Sequence, residues 1–393
     1  MDKRDTNMHE RRAWAMPTEL QARASAGDRT SVMKFDGSSF ATREHFGPVC
    51  QWLRRRLDEG GPRHRIVCVV SAPSGSAEQY RDTLLAHGIS ATVVAGNRIG
   101  LRTGVDYPRV RPQGINLTVL RQQLTQHQVV VVVPGGQASA TRGGETTWRG
   151  TNSSDLSAIA LAAALGEEEL EIYSDVPGVF SCDPGIVDSA TLIPRLPYAQ
   201  AIQMATSGAK VLHHRAVQHA LQNRLRVVCR RNRGNFETGT VLVADAAFQP
   251  AIVADARSQT FEASIGAAED VAQQLAAADV PHVLMPGMQE GTRHVVVTCG
   301  FFDAWHFLAT ERQLPVVKQD TMLLTRVRLD GGVKRELVAP SALAARAREL
   351  HHIHCAPASP QTRAPAETSA PADRAAAERA PGRPNGTKVP CHV

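Results

Sequence analysis

The sequence predicts an α/β protein: a three-layer αβα domain around a mostly parallel central sheet, followed by a small α+β module of ferredoxin-like layout. Three observations carry this. Short β-branched runs alternate with helical patterns over the first two-thirds of the chain. One of those runs, residues 129–133, is Val at every position, which fits a strand covered on both faces. After about residue 247 the rhythm changes to β-α-β-β-α-β, the order of a ferredoxin-like sandwich.

Residues 1–30 lack a sustained period and are expected to form a loose extension. Strands are expected at 31–35, 66–71, 91–94, 129–134, 170–173 and 226–229, with helices at 42–58, 77–86, 117–126, 154–165, 198–207 and 213–222. Together they make a first domain over 31–246. The module, 247–332, reads as strand 251–255, helix 267–278, strands 282–285 and 293–299, helix 304–311 and strand 321–329. Residues 333–393 are expected to be a short helix and a tail rich in Ala, Pro and Arg, in which Pro357, Pro360, Pro365 and Pro371 break any helix.

Composition narrows the function classes. The chain has 393 residues, 42% of them hydrophobic, enough for more than one core. Its charge of +6 is spread along the chain, and four Trp, four Tyr and ten Phe offer few stacking platforms, so no nucleic-acid partner is expected. Seven scattered cysteines without a CxxC pair form neither a disulfide framework nor a zinc site. His351-His352-Ile353-His354-Cys355 lacks a second ligand cluster, so no metal site is assigned there. The apolar runs are too short to span a bilayer and the first thirty residues lack an apolar centre, so a cytoplasmic protein without membrane contact is expected.

Chemistry-bearing turns follow the strands: Asp36-Gly37-Ser38-Ser39, Ser71-Ala72-Pro73-Ser74-Gly75, Gly135-Gly136, and the polar loop running to Asp155. In an open parallel sheet the carboxyl ends of the strands share one edge, so these turns can line one crevice. The loop before Asp155 opens directly onto a helix, where unpaired backbone N–H groups and the positive dipole end suit an anion.

These residues resemble the aspartokinases of the amino-acid kinase superfamily. The matching pieces run in order: Lys34-Phe35-Asp36-Gly37-Ser38-Ser39, Val69-Val70-Ser71-Ala72, Thr146 to Asp155, Tyr173-Ser174-Asp175-Val176-Pro177-Gly178-Val179 with Asp183-Pro184, and Gly208-Ala209-Lys210. The resemblance implies phosphoryl transfer from ATP, with Mg2+, to the side-chain carboxylate of aspartate. It implies that Lys34 and Lys210 flank the phosphates and that Asp155 orients them, although such an aspartate is equally a helix N-cap. It further implies acceptor contacts from Ser71, Arg149 and Ser154, and nucleotide contacts from Gly37, Ser38, Tyr173, Ser174, Asp175, Val179 and Asp183. Several of these also read as plain turn residues. A homodimer formed through an ACT-like module is the family's habit.

The chain also departs from that pattern. Asp36 stands where the family has glycine, Gly185 where it has arginine, and Thr151-Asn152-Ser153 replaces a Gly-Gly. The helical stretch that follows the second strand in the family is largely missing after Pro73-Ser74-Gly75, and only one full ACT-like copy fits. Two further readings therefore accompany the kinase: a kinase-like binding or regulatory protein without turnover, and an enzyme acting on another small carboxylate or phosphonate acceptor.

Overall fold

Apolar side chains alternating between the two faces of one sheet build the centre of the molecule. Along β5 (Val129–Pro134) every residue is buried, and its odd and even positions join different cores. Val129, Val131 and Val133 pack with Val32, Val67 and Val69, whereas Val130 and Val132 pack with Met33, Phe35, Ile66 and Cys68. A strand can bury both faces only if helices cover both, and that dictates three layers.

The computed structural model describes residues 29–355 except 41–42, 72–75, 100–101, 104–114, 127, 141–145, 149–152, 211, 279, 299 and 301. In chain order the first part contains β1 (Arg29–Phe35), α1 (Arg43–Gly60), β2 (His64–Val70), α2 (Ser76–Ala86), β3 (Ser90–Val93), β4 (Arg102–Thr103) and α3 (Thr118–Gln123). After β5 come β6 (Gln137–Ala140), β7 (Thr146–Trp148), α4 (Ser153–Leu165), β8 (Glu169–Ser174), β9 (Arg195–Pro197), α5 (Tyr198–Thr206), α6 (His214–Gln222), β10 (Arg226–Arg231) and β11 (Thr238–Val243). The eight-stranded central sheet runs β3-β5-β2-β1-β8-β10-β11-β9. It is parallel from β3 to β10; only the β10–β11 pairing is antiparallel. Helices α1 and α2 cover one face through Leu53 and Tyr80, and α3 to α6 cover the other through Leu120, Ile159, Met204 and Val217. Helix α4 is apolar nearly all round, with residues 158–162 buried, as a helix inside a core must be. The expected α/β class and all six expected strands of this part are present; β4, β6, β7, β9 and β11 are additional.

The remainder differs from the expected register. It contains β12 (Ala251–Asp255), β13 (Gln259–Ser264), α7 (Ile265–Ala277), β14 (His282–Pro286), β15 (Thr292–Val297), a π-helical turn (His306–Glu311), β16 (Val317–Gln319), β17 (Met322–Val327), β18 (Val333–Val338) and α8 (Leu343–His354). The expectation makes 251–255 and 321–329 the first and last strands of the ferredoxin-like unit. Instead β12, β17 and β18 form a three-stranded antiparallel sheet of their own, with α8 packed on it through Leu343 and Ala347. The first and last places in the β-α-β-β-α-β succession belong to β13 and β16, giving a four-stranded sheet ordered β14-β15-β13-β16, which is the ferredoxin-like order. The missed strands are quiet in sequence for a reason. In β13 only Phe261 and Ala263 are apolar and face the α7 core, and β16 is three residues long.

Candidate active site

Lys34 occupies the last turn of the pleat in β1, one residue before Phe35, and the alternation of the strand turns it to the face covered by α4. There its ammonium lies 2.6 Å from Oδ1 of Asp155, in the first turn of α4, and also pairs with the carboxylate of Asp36. Asp155 is therefore not a cap residue but the third residue of its helix, with its carboxylate spent on Lys34. Lys34 is 4% exposed. Burial alone would discharge it, yet the carboxylates of Asp155 and Asp36 outweigh that and hold its pKa above the usual lysine range. For Asp36 burial wins: desolvation raises its pKa despite Lys34, and the charge of Asp155 adds to the rise.

Backbone bonds fix this corner. Asp36 N–H donates to the carbonyl of Tyr173 (3.0 Å) and Ser71 N–H to the carbonyl of Phe35 (3.0 Å), so β8, β1 and β2 end together. Ser71 and Ser154 share a hydroxyl hydrogen bond of 2.6 Å, joining the end of β2 to the start of α4. Two glycines make the approach possible. A Cβ on Gly37 would sit 3.3 Å from the Ser71 carbonyl, and one on Gly135 would sit 2.5 Å from Cβ of Ser154.

From this corner opens a cleft of about 290 Å³ that Lys34, Asp36 and Asp155 share with Ser174 at the end of β8, Asp175 and Val179 beyond it, and Lys210 before α6. The two lysines, 176 positions apart in sequence, thus face one cavity. Lys210 is exposed, 3.6 Å from Asp183 Oδ2. Asp183 also accepts from Gly185 N–H (2.9 Å), and Ser174 donates to the carbonyl of Val176 (2.7 Å), so the turn reading and the cleft reading hold together. Val179 is buried, its N–H donating to Thr240 Oγ1 at 2.8 Å.

Tyr173 requires a correction. It was expected along the nucleotide, but its ring is wholly buried on the opposite face, stacked 4.3 Å from Phe35, with its hydroxyl bonded to Trp52 Nε1 and Glu171. Only its carbonyl serves the site. Ser38 lines a second, adjoining cavity of about 170 Å³ with His45, Asp175, Asn232 and Arg233. Arg149 lies outside the described residues.

Two cleft-side residues escaped the sequence reading. Asn232, nearly buried, follows β10; oriented to satisfy its amide, it accepts from Ser38 Oγ (2.8 Å) and Ser39 Oγ (2.9 Å) and donates to the Ser174 carbonyl (3.2 Å). The rule that strand ends gather at one edge, applied to β10, points to it. Arg257 lines the main cleft from the turn between β12 and β13, and no local pattern signals it.

A corner of buried lysine and carboxylate at the carboxyl edge of a parallel sheet, with a second lysine across the cleft, is the frame on which the comparisons fall. The model of the amino acid kinase family matches residues 72–231. That stretch of the chain is similar to the amino acid kinases. It is 30% identical over 249 residues to an aspartokinase of Helicobacter pylori, covering 56% of this chain and 60% of that one. It is 33% identical over 253 residues to an aspartokinase of Geobacillus stearothermophilus, covering 56% and 61%. The chain thus spans about three-fifths of the length of the curated relatives it matches. A solved structure of E. coli aspartokinase III in complex with aspartate and ADP, in its R-state, superposes with a TM-score of 0.68 at 18% identity, over 82% of this chain and 99% of that one. That likeness is one of fold, and it reaches beyond residues 72–231 into the antiparallel sheets.

Proposed function

We propose that this chain is an ATP-dependent aspartate kinase: the side-chain carboxylate of aspartate attacks the terminal phosphorus of ATP, the bond from that phosphorus to the bridging oxygen breaks, and ADP leaves with 4-phospho-aspartate as product. An ionised carboxylate attacks without giving up a proton, so no general base is needed. Such a transfer asks for positioning and for charge to offset the phosphoryl oxygens. The observation that carries the reading is Lys34, buried and kept charged by Asp155, in one cleft with Lys210. In this reading the two lysines take the phosphates from opposite sides, Ser174, Asp175, Val179 and Asp183 follow the nucleoside, Gly37 and Ser38 lie against the phosphates, and Ser71 and Ser154 stand on the acceptor side with Arg149.

The carboxylates nearest the phosphate corner, Asp36 and Asp155, are both engaged by Lys34, and no three-residue metal cage occurs among the described residues. Exposed Asp175 remains at the mouth. This donor set fits Mg2+ brought in on the nucleotide, which is commonly held by phosphates, waters and one or two carboxylates; it would supply charge neutralisation of the phosphates. A homodimer and a cytoplasmic location belong to the same proposal; no described helix is long and apolar enough to cross a membrane.

Hydroxylamine trapping over a panel of amino acids with ATP tests it. Hydroxamate formation with aspartate is the expected result. Hydroxamate from a different carboxylate alone moves the acceptor, and nucleotide binding with no hydroxamate from any acceptor leaves a binding protein, the reading that Asp36 favours by adding negative charge beside the phosphates.

A further inference from the structure

The charge of the cleft does not balance within the kinase domain. Its lining has three carboxylates, Asp36, Asp155 and Asp175, against two ammonium groups, Lys34 and Lys210. A polyphosphate entering that surface meets a net negative wall. The sixth charged group is Arg257, and it comes from the antiparallel part of the molecule.

Arg257 sits on an exposed turn whose backbone is anchored. Its N–H donates to Asp255 Oδ1 (3.1 Å), Ser258 Oγ donates to the carbonyl of Asp255 (2.8 Å), and Leu323 N–H donates to Ser258 Oγ (2.8 Å). Gly300, at φ +60°, packs so closely that a Cβ there would lie 2.2 Å from Cβ of Arg257, which confines the stem of the side chain. On the kinase side, the buried Asp255 carboxylate lies 2.1 Å from where Gly208 would carry a Cβ, and Thr298 Oγ1 donates to the carbonyl of Thr206 (2.8 Å). The turn carrying Arg257 is thus seated on the loop carrying Lys210, and each sets the position of the other. No carboxylate among the described residues forms an ion pair with the Arg257 guanidinium.

We infer that Arg257 is a phosphate-binding residue of the nucleotide site, supplied by the antiparallel part to complete a cleft that the kinase domain leaves short of positive charge. The inference rests on the nucleotide reading of the cleft above. A guanidinium offers several donors at fixed geometry to phosphate oxygens, and its charge is retained at any working pH.

The experiment is calorimetric binding of adenosine, ADP and ATP to the full chain and its Arg257→Gln, Arg257→Lys and Lys210→Gln variants. With Arg257→Gln, ADP and ATP affinity is expected to fall by about tenfold, the scale of one charge-assisted hydrogen bond, while adenosine affinity stays within about twofold. Arg257→Lys is expected to recover part of the loss. Unchanged ADP affinity in Arg257→Gln, with Lys210→Gln weakened, overturns the role of Arg257 and leaves the nucleotide site standing. Equal weakening of adenosine and ADP makes Arg257 a structural residue and also overturns it. If the unaltered chain binds none of the three ligands, the nucleotide reading itself fails and this role falls with it.

Discussion

Lys34 shows what a single buried charge demands of its surroundings. Its ammonium stays protonated because two carboxylates reach it, and Asp155 does so from the start of a helix, where a negative charge is also favoured by the dipole. Removing that partner leaves the lysine buried and badly oriented. Asp155→Ala is therefore expected to lower kcat by about 10²–10³-fold, the scale of losing one preorganised electrostatic group, with an unchanged circular-dichroism spectrum. Asp36 works in the opposite direction. Two unit charges about 4 Å apart interact on the scale of 4 kcal/mol at an effective dielectric near 20, so a carboxylate here matters to a polyphosphate even when part-neutralised by Lys34. Asp36→Gly is expected to lower the KM for ATP several-fold, and an unchanged KM in steady-state assays would show that Asp36 has no bearing on nucleotide binding. The same scale explains what was legible. Lys34, Asp155 and Lys210, which share one cleft, stand out in the sequence because each lies in an ordered run of motifs. Tyr173 was misassigned because a motif names a residue without naming its face: along β8 Ile172 and Ser174 turn to the cleft, so alternation alone sends Tyr173 to the opposite core.

Helices and parallel strands of the parallel-sheet part were legible because their burial is two-sided and regular; β9, β11, β13 and β16 were not, being short or half-buried strands whose places are set by partners distant in sequence. The contact between elements around Gly208 yields a sharper expectation. Gly208 has φ +98° and stands against Asp255, whereas Gly61 has φ +86° with nothing near its missing Cβ. Gly61→Ala should cost only the backbone strain, about 1–2 kcal/mol, while Gly208→Ala should cost more and also reduce nucleotide affinity, because the Lys210 loop and the Arg257 turn are pushed apart. Urea unfolding and ADP binding of the two variants check this. Helix α8 offers a pH expectation. The ring of His351 is buried and shares a 2.8 Å hydrogen bond with Ser181, 170 residues earlier. Burial, then the charge of His352, depresses its pKa below the ordinary histidine value of 6.5. The folded state thus binds the proton less readily than the unfolded one, and stability falls as pH drops below about 6.5. Melting temperatures between pH 7.5 and 5.5 should decline less steeply in His351→Gln than in the unaltered chain.

At the scale of the whole molecule the parallel-sheet part and the antiparallel sheets share buried surface rather than a linker. Cys182 and Val187, from the segment after β8, pack in one cluster with Ile252, Leu324, Leu343 and Ala347. A chain ending at residue 342 loses α8 and uncovers Ile252 and Leu324, each worth about 1.5–3 kcal/mol when fully buried. It is expected to melt several degrees lower in a single transition. Two separated transitions in calorimetry would mean that the parts fold independently.

The pairing of β12 with β17 has one more consequence. Asp255 and Leu323 are direct neighbours across that ladder, so everything in 256–322 leaves and re-enters at adjacent points, as an insert does. Such a segment is open to replacement: a short hairpin turn is expected to splice its two ends. The chain that results is expected to keep its parallel sheet but gives up the guanidinium at residue 257, which makes the cost of the exchange measurable as a loss of ADP affinity.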